Sequence, residues 1–185
     1  MEKIRCGWCE KDDLYRKYHD EEWGRPVYDD ITIFEFLVLE SFQAGLSWYT
    51  ILSKRENFRK AFDHFDYKKI ALYNDEKVEK LMQNSGIIRN RLKIKAAVTN
   101  AQKLMEVQKE FGSFSAYIWG FVGEKPIDHV PKSLADIPAV TDISDILSKD
   151  LKKRGFKFMG SKVVYAHMQA TGMVNDHIES CFIRW

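Results

Sequence analysis

The stretch "SKDLKKRGFKFMGSK", residues 148–162, decides the fold. After Asp150 it carries Lys152, Lys153, Arg154, Lys157 and Lys162 with no acid, and Gly155 and Gly160 bracket "FKFM". It is read as a helix, a tight hairpin near 154–161, and a second helix that opens at Gly160. The first amides of that second helix have no intrahelical acceptor, so together with Lys162 they can hold a phosphate. Such contacts position a duplex and do not read its sequence. A solvated, lysine-rich connection is the plainer reading of a charge run, and glycines at this spacing weigh against it. "RNRLKIK", residues 89–95, is a second basic stretch expected on the same face.

Outward from the hairpin, apolar residues at helical spacing dominate. Asp29, Asp30 and Thr32 offer an N-cap for a helix near 31–44, which Gly45 breaks or bends. A second helix is expected near 47–63. "DEKVEKLMQNSG" predicts a short helix with Gly86 as its stop, and "RNRLKIKAAVTNAQKLMEVQKEFG" a long one closed by Gly112. "SFSAYIWGFV", "SDILSKDLKKRG", "GSKVVYAHMQATG" and the last residues give further helices, while "GEKPIDHVPKSLADIP" is loop. No segment alternates as a strand, so the fold class is all-α. The 185 residues suit a single domain, 1–185, with no repeat or linker.

Hydrophobic residues make up 45% and charged residues 30%, which suits a well-cored soluble chain. The formal net charge of +2 gives no whole-surface attraction for nucleic acid, so any basic site is local. The N-terminal "MEKIRCGWCEKDD" has no apolar signal core, and no run is long enough to span a membrane. A cytoplasmic protein is expected. Three cysteines speak against a closed disulfide framework and leave metal or free thiols.

Cys6 and His19 lie near one end, and His177 and Cys181 form H-x-x-x-C near the other. An i, i+4 pair on one helix face can grip a metal, and two pairs make a Cys2His2 zinc set that staples the ends together. Cys9 is a rival, because "CGWC" could supply two ligands or a redox pair, and ordinary buried thiols with surface histidines are the plainer alternative. Four protein ligands would close the site and make it structural, which argues against a zinc hydrolase.

"LESFQAGLSWYTIL", residues 39–52, sets Glu40 after the apolar run Phe36–Leu39 and crowds Gly45 and Trp48 beside it. More aromatics, Trp8, Tyr15, Tyr18 and Trp23, gather near the N-terminus among polar neighbours. A buried glutamate facing indoles and phenols makes a pocket for a flat, polarised or cationic ring. The alternative is that Glu40 is half exposed on an amphipathic helix.

Five ordered blocks, "CGW", "YHDEEWG", "LESFQAGLSW", "SGIIRNRLKI" and "KRGFKFMGSKVVYAHMQATGMVNDH", closely resemble the 3-methyladenine DNA glycosylase I family of base-excision repair enzymes, over essentially the whole chain. The resemblance implies a helix-hairpin-helix fold, one structural zinc, and hydrolysis of the N-glycosidic bond of 3-methyladenine in alkylated double-stranded DNA, with the free base as product. It puts zinc on Cys6, His19, His177 and Cys181 and sets Cys9 aside. It places Glu40 and Tyr18 as the candidate catalytic residues, with Trp48, Trp23, Tyr15 and Trp8 binding the base. Leu46 falls where the family pushes an apolar side chain into the gap left by the extruded base. Gly45 beside it lets the backbone come close, and Gly160 and Lys162 meet the phosphates. Many relatives with this fold use an aspartate after the hairpin; "VNDH" puts Asn175 there and Asp176 one residue off, so Asp176 is not taken as a catalyst. No lysine is nominated for a Schiff base, so the implied enzyme leaves the strand intact. A monomer is expected. A non-catalytic alkylation-damage binder of the same fold is the alternative.

Overall fold

The computed structural model describes residues 3–184; Met1, Glu2 and Trp185, the ends of the expected 1–185 domain, lie outside them. The fold is all-α. A short 3-10 turn (Gly7–Cys9) leads to α1 (Asp13–Glu21), whose first turn is capped by the Asp12 carboxylate accepting from the Tyr15 amide. The centre is α2 (Asp30–Gln43), in which every residue from Ile33 to Phe42 is buried. A helix apolar almost all round must lie inside its fold, since each large apolar side chain taken from water contributes roughly 1.5–3 kcal/mol.

Only three polar residues interrupt that buried run, and two are satisfied. Glu35 accepts from Arg55 at 2.6 Å and from Arg59 at 2.9 Å. Ser41 donates its hydroxyl to the Val38 carbonyl at 2.6 Å. Glu40 is the third, and among the described residues it has no hydrogen bond or ion pair.

The single helix expected near 47–63 is two, α3 (Trp48–Leu52) and α4 (Arg55–Ala61). The helix breaks at Ser53 and Lys54, where the Lys54 amide turns to the Ile51 carbonyl at i, i+3, and the turn carries Arg55 inward, where its guanidinium bridges Glu22 and Glu35. Then come α5 (Tyr67–Ile70) and α6 (Asp75–Gln83). Asn84, not Gly86, ends α6, and its side-chain oxygen accepts the Gly86 amide at 2.8 Å. The long helix α7 (Arg91–Phe111) closes at Gly112, with φ of 86°, and α8 (Phe114–Gly120) follows. α9 (Asp142–Lys153) and α10 (Ser161–Ala170) flank the hairpin, and α10 packs on both α9 and α2.

Two further features depart from expectation. The loop after α8 is pinned by a two-residue parallel ladder, β1 (Ile127–Asp128) with β2 (Val174–Asn175), too short for any alternation to show. Residues 176–184 form turns and irregular chain rather than a helix. They are held from outside, Glu179 donating its amide to the Pro131 carbonyl and Phe182 to that of Ile4. His177 and Cys181 therefore do not share a helix face.

Candidate active site

Between α1, α2 and α10 opens a cavity of about 410 Å³, within the range of small-molecule sites. Trp8, Tyr15, Tyr18, Trp23, Glu40 and Trp48 all line it. The rings hold one another edge to face: Trp8 sits 5.1 Å from Trp23 and 5.3 Å from Tyr15, both near perpendicular. Tyr18 lies 5.5 Å from Trp48. These contacts fix ring planes before any ligand arrives.

Glu40 is 4% exposed. Burial with no donor beside it raises its pKa to about 8. Burial first, and the Glu40 carboxylate second, push the Tyr18 phenol well above its usual range, so it stays an O–H donor. Two carboxylates thus sit five residues apart on one buried helix. Glu35 is neutralised by two guanidiniums, and Glu40 faces the cavity with its acceptors unused.

At the rim, α2 gives way at Ala44, and Gly45 takes φ of 85°, a conformation other residues adopt at a cost. A Cβ on Gly45 would meet nothing within 4 Å, so backbone conformation rather than close packing asks for glycine here. Leu46 stands 42% exposed at the tip. Across the surface lies the hairpin between α9 and α10. Gly160 is the N-cap of α10, with no side-chain cap and open space where a Cβ would stand, and Lys162 beside it is exposed and makes no ion pair among the described residues. "RNRLKIK" is less available than its composition suggests. Arg91 pairs with Glu79, Lys95 with Asp75 at 3.0 Å, and Lys93 is turned inward.

Cys6, His19, His177 and Cys181 come together, all buried, with one ligand atom from each within 4.8 Å of the others. Cys6 Sγ lies 3.6 Å from His177 Nδ1, and Cys181 Sγ lies 3.6 Å from both His177 Nδ1 and His19 Nε2. Tetrahedral bonds of about 2.0–2.1 Å to nitrogen and 2.3 Å to sulfur set ligand atoms about 3.6 Å apart, so the cluster fits a metal ion. The outer ring nitrogens are already engaged. His19 Nδ1 is 2.8 Å from Asp20, itself gripped by Arg5, and His177 Nε2 is 3.0 Å from the Trp23 carbonyl. That turns the remaining lone pairs inward. Burial lowers the pKa of both imidazoles, which keeps them neutral, as ligands must be. Gly24 is required beside it: φ is 75° and a Cβ would stand 2.9 Å from His177 Nε2. Cys9 is outside the cluster, its thiol donating to the Cys6 carbonyl at 3.0 Å.

The cavity also takes Gln43, Leu134, Ile137, Ala166 and Gln169, which sequence reasoning missed. Ala166 and Gln169 share a face of α10 at i, i+3 spacing, a signal present in the sequence. Leu134 and Ile137 come from the loop, which is held by the β1–β2 ladder and by the Glu179 amide on the Pro131 carbonyl. Asp176 does not line the cavity. Its carboxylate accepts from Tyr165 at 2.5 Å and Gln169 at 2.8 Å, and lies 2.7 Å from His129 Nδ1.

Paired helices around a short hairpin, beside a cavity cut for a flat ring, define a helix-hairpin-helix glycosylase. The chain belongs to the methyladenine glycosylase family, whose model matches residues 8–184. DNA-3-methyladenine glycosylase 1 of Escherichia coli (strain K12) is 48% identical over 177 residues, 96% of this chain and 95% of its own. A crystal structure of 3-methyladenine DNA glycosylase I superposes with a TM-score of 0.94 at 49% identity, covering 97% of this chain and 98% of that one. A substituted form of 3-methyladenine DNA glycosylase I in complex with 3-methyladenine gives 0.95 at 38% identity, covering 98% and 97%.

Proposed function

We propose that this protein hydrolyses the N-glycosidic bond of 3-methyladenine in alkylated double-stranded DNA and so begins base-excision repair. Glu40 carries the reading: a buried carboxylate with no partner among the described residues, in an aromatic cavity. Such a group is costly to keep unless a ligand uses it. 3-Methyladenine in DNA is cationic, and a cation brings an acid of raised pKa back to its ionised form. The family membership and the related complex with 3-methyladenine support the same substrate.

The base must leave the stack before its bond can break. Leu46 and Gly45 fill the gap it leaves, while the α10 amides at Gly160 and the ammonium of Lys162 hold backbone phosphate. In the pocket Glu40 accepts N–H groups of the lesion, Tyr18 donates its O–H, Trp48 stacks, and Trp8, Tyr15 and Trp23 wall the site. When the bond breaks, its electron pair goes to the base, which leaves neutral, and the positive charge passes to the sugar. Water adds at that carbon and gives up a proton, leaving an abasic site in an uncut strand. No acid is needed to protonate the leaving group. Glu40 accelerates the step only so far as it binds better when charge shifts, so its main role is recognition and orientation. Cys6, His19, His177 and Cys181 hold one zinc, closed to water, which ties α1 to the C-terminal turns. The chain acts as one domain and as a monomer.

Incubation with methylated duplex DNA, followed by chromatography of the released bases, tests this. Free 3-methyladenine with intact strands is expected. Binding without release would make the protein a non-catalytic damage binder.

A further inference from the structure

Two buried polar side chains of α7 serve neither the cavity nor the metal cluster. Lys93, 7% exposed, donates its ammonium to the carbonyls of Phe42 at 2.9 Å and Ala44 at 2.8 Å. These belong to the end of α2, where carbonyls lack intrahelical partners and a cation is favoured. Asn100, 1% exposed, donates its amide to the Lys157 carbonyl at 3.0 Å and accepts the Lys157 N–H at 2.7 Å, as a neighbouring strand would. Each side chain thus makes two hydrogen bonds to the backbone of one loop. Lys93 holds the loop that carries Gly45 and Leu46; Asn100 holds the hairpin that leads to Gly160. Seven residues apart, they lie on one face of α7, about 10.5 Å along its axis.

We propose that α7 is a ruler: Lys93 and Asn100 are positioning residues that fix the Leu46 loop and the hairpin at one mutual spacing, so that the duplex is gripped and opened in register. Neither residue touches the base. Lys93 meets no carboxylate among the described residues, so its bonds serve only the loop backbone. The hairpin is further fastened by Ser148, which donates its hydroxyl to the Met159 carbonyl at 2.6 Å, so Asn100 orients a loop that is already closed. The inference rests on the reading of both loops as DNA-engaging.

A double-variant cycle tests it. Lys93→Met keeps the length and removes the ammonium; Asn100→Leu keeps the bulk and removes both hydrogen bonds. Single-turnover release of 3-methyladenine from a paired duplex is measured for wild type, each variant and the double variant, beside titration with the free base. Each single change should slow release roughly ten- to a hundredfold, as a misplacement of about 1 Å does. The double variant should be little slower than the worse single one, because register is lost once. Free-base affinity should stay within about twofold of wild type, since neither side chain lines the pocket. Losses that multiply, loss of free-base binding in step with release, or unchanged release in either single variant would overturn the inference. If Lys93→Met does not fold, Lys93→Gln, whose amide reaches one carbonyl, takes its place. Wild type that releases nothing would overturn the reading of the site itself, and this inference with it.

Discussion

Replacing Glu40 by glutamine exchanges one acceptor oxygen for an N–H2 donor at almost the same size. Because Glu40 has no partner among the described residues, the substitution breaks nothing in the free protein. What it changes is the ligand's view of the pocket, where a donor now faces a donor. A mismatched hydrogen bond to a charged group costs about 1–3 kcal/mol, so free 3-methyladenine should bind roughly 5- to 150-fold more weakly. Calorimetric titration at about pH 9, where wild-type Glu40 is ionised, reads the full difference. Stability should move the other way. The acid's ordinary value is 4.5 and its folded value about 8. Stability that rests on the neutral acid is fully present below the lower value and lost as pH rises through the higher one. The amide does not titrate, so on passing from acid to alkaline pH the variant should gain on wild type by a few kcal/mol, to order of magnitude. Equal affinities at high pH, together with parallel melting curves, would refute the placement of Glu40 in the pocket.

Three further outcomes follow from the site. The protein should carry one zinc, and Cys6→Ser should lose it and melt earlier, because a structural metal contributes folding free energy directly; metal retained in Cys6→Ser but lost in Cys9→Ser would reassign the ligands. Lys162→Ala should weaken all duplexes alike and reduce the slope of log affinity against log salt by about one; an effect confined to damaged DNA would put Lys162 in the pocket. Gly45→Ala meets open space but a φ of 85°, so it should cost about 1–2 kcal/mol through the backbone and slow release from paired DNA; melting curves and release rates check both.

The hairpin and α2 were legible because their signals are local: glycines bracketing a basic turn, an N-cap before an apolar run, a glycine after it. The pocket glutamate was not legible from local pattern alone. Glu35 and Glu40 share one buried helix, and what separates them is that Arg55 and Arg59 come back to Glu35 from 20 and 24 residues away. The sequence marks Glu40 as a carboxylate after an apolar run, and the resemblance chose the pocket over a half-exposed helix position. The residues of the candidate metal cluster were picked out by residue type, yet H-x-x-x-C was assigned to a helix, whereas contacts with Pro131 and Ile4 hold it in turns. Lys93 reads in sequence as part of a basic stretch; its role depends on where α2 ends, 51 and 49 residues earlier. Leu134 and Ile137 reach the cavity on a loop held by a two-residue ladder and one bond to Pro131, too little for any alternation to announce.

The central claim is that an unpartnered, buried carboxylate recognises a cationic base. The pH dependence of kcat/KM for release of 3-methyladenine from methylated duplex DNA tests it most directly. The free protein holds Glu40 neutral below about 8. Release should therefore rise with pH, about tenfold per unit while Glu40 is mostly neutral, and level off above the pKa. In Glu40→Gln it should be low and without that rise. A wild-type profile that is flat across this range, or a rise that persists in Glu40→Gln, would contradict the account.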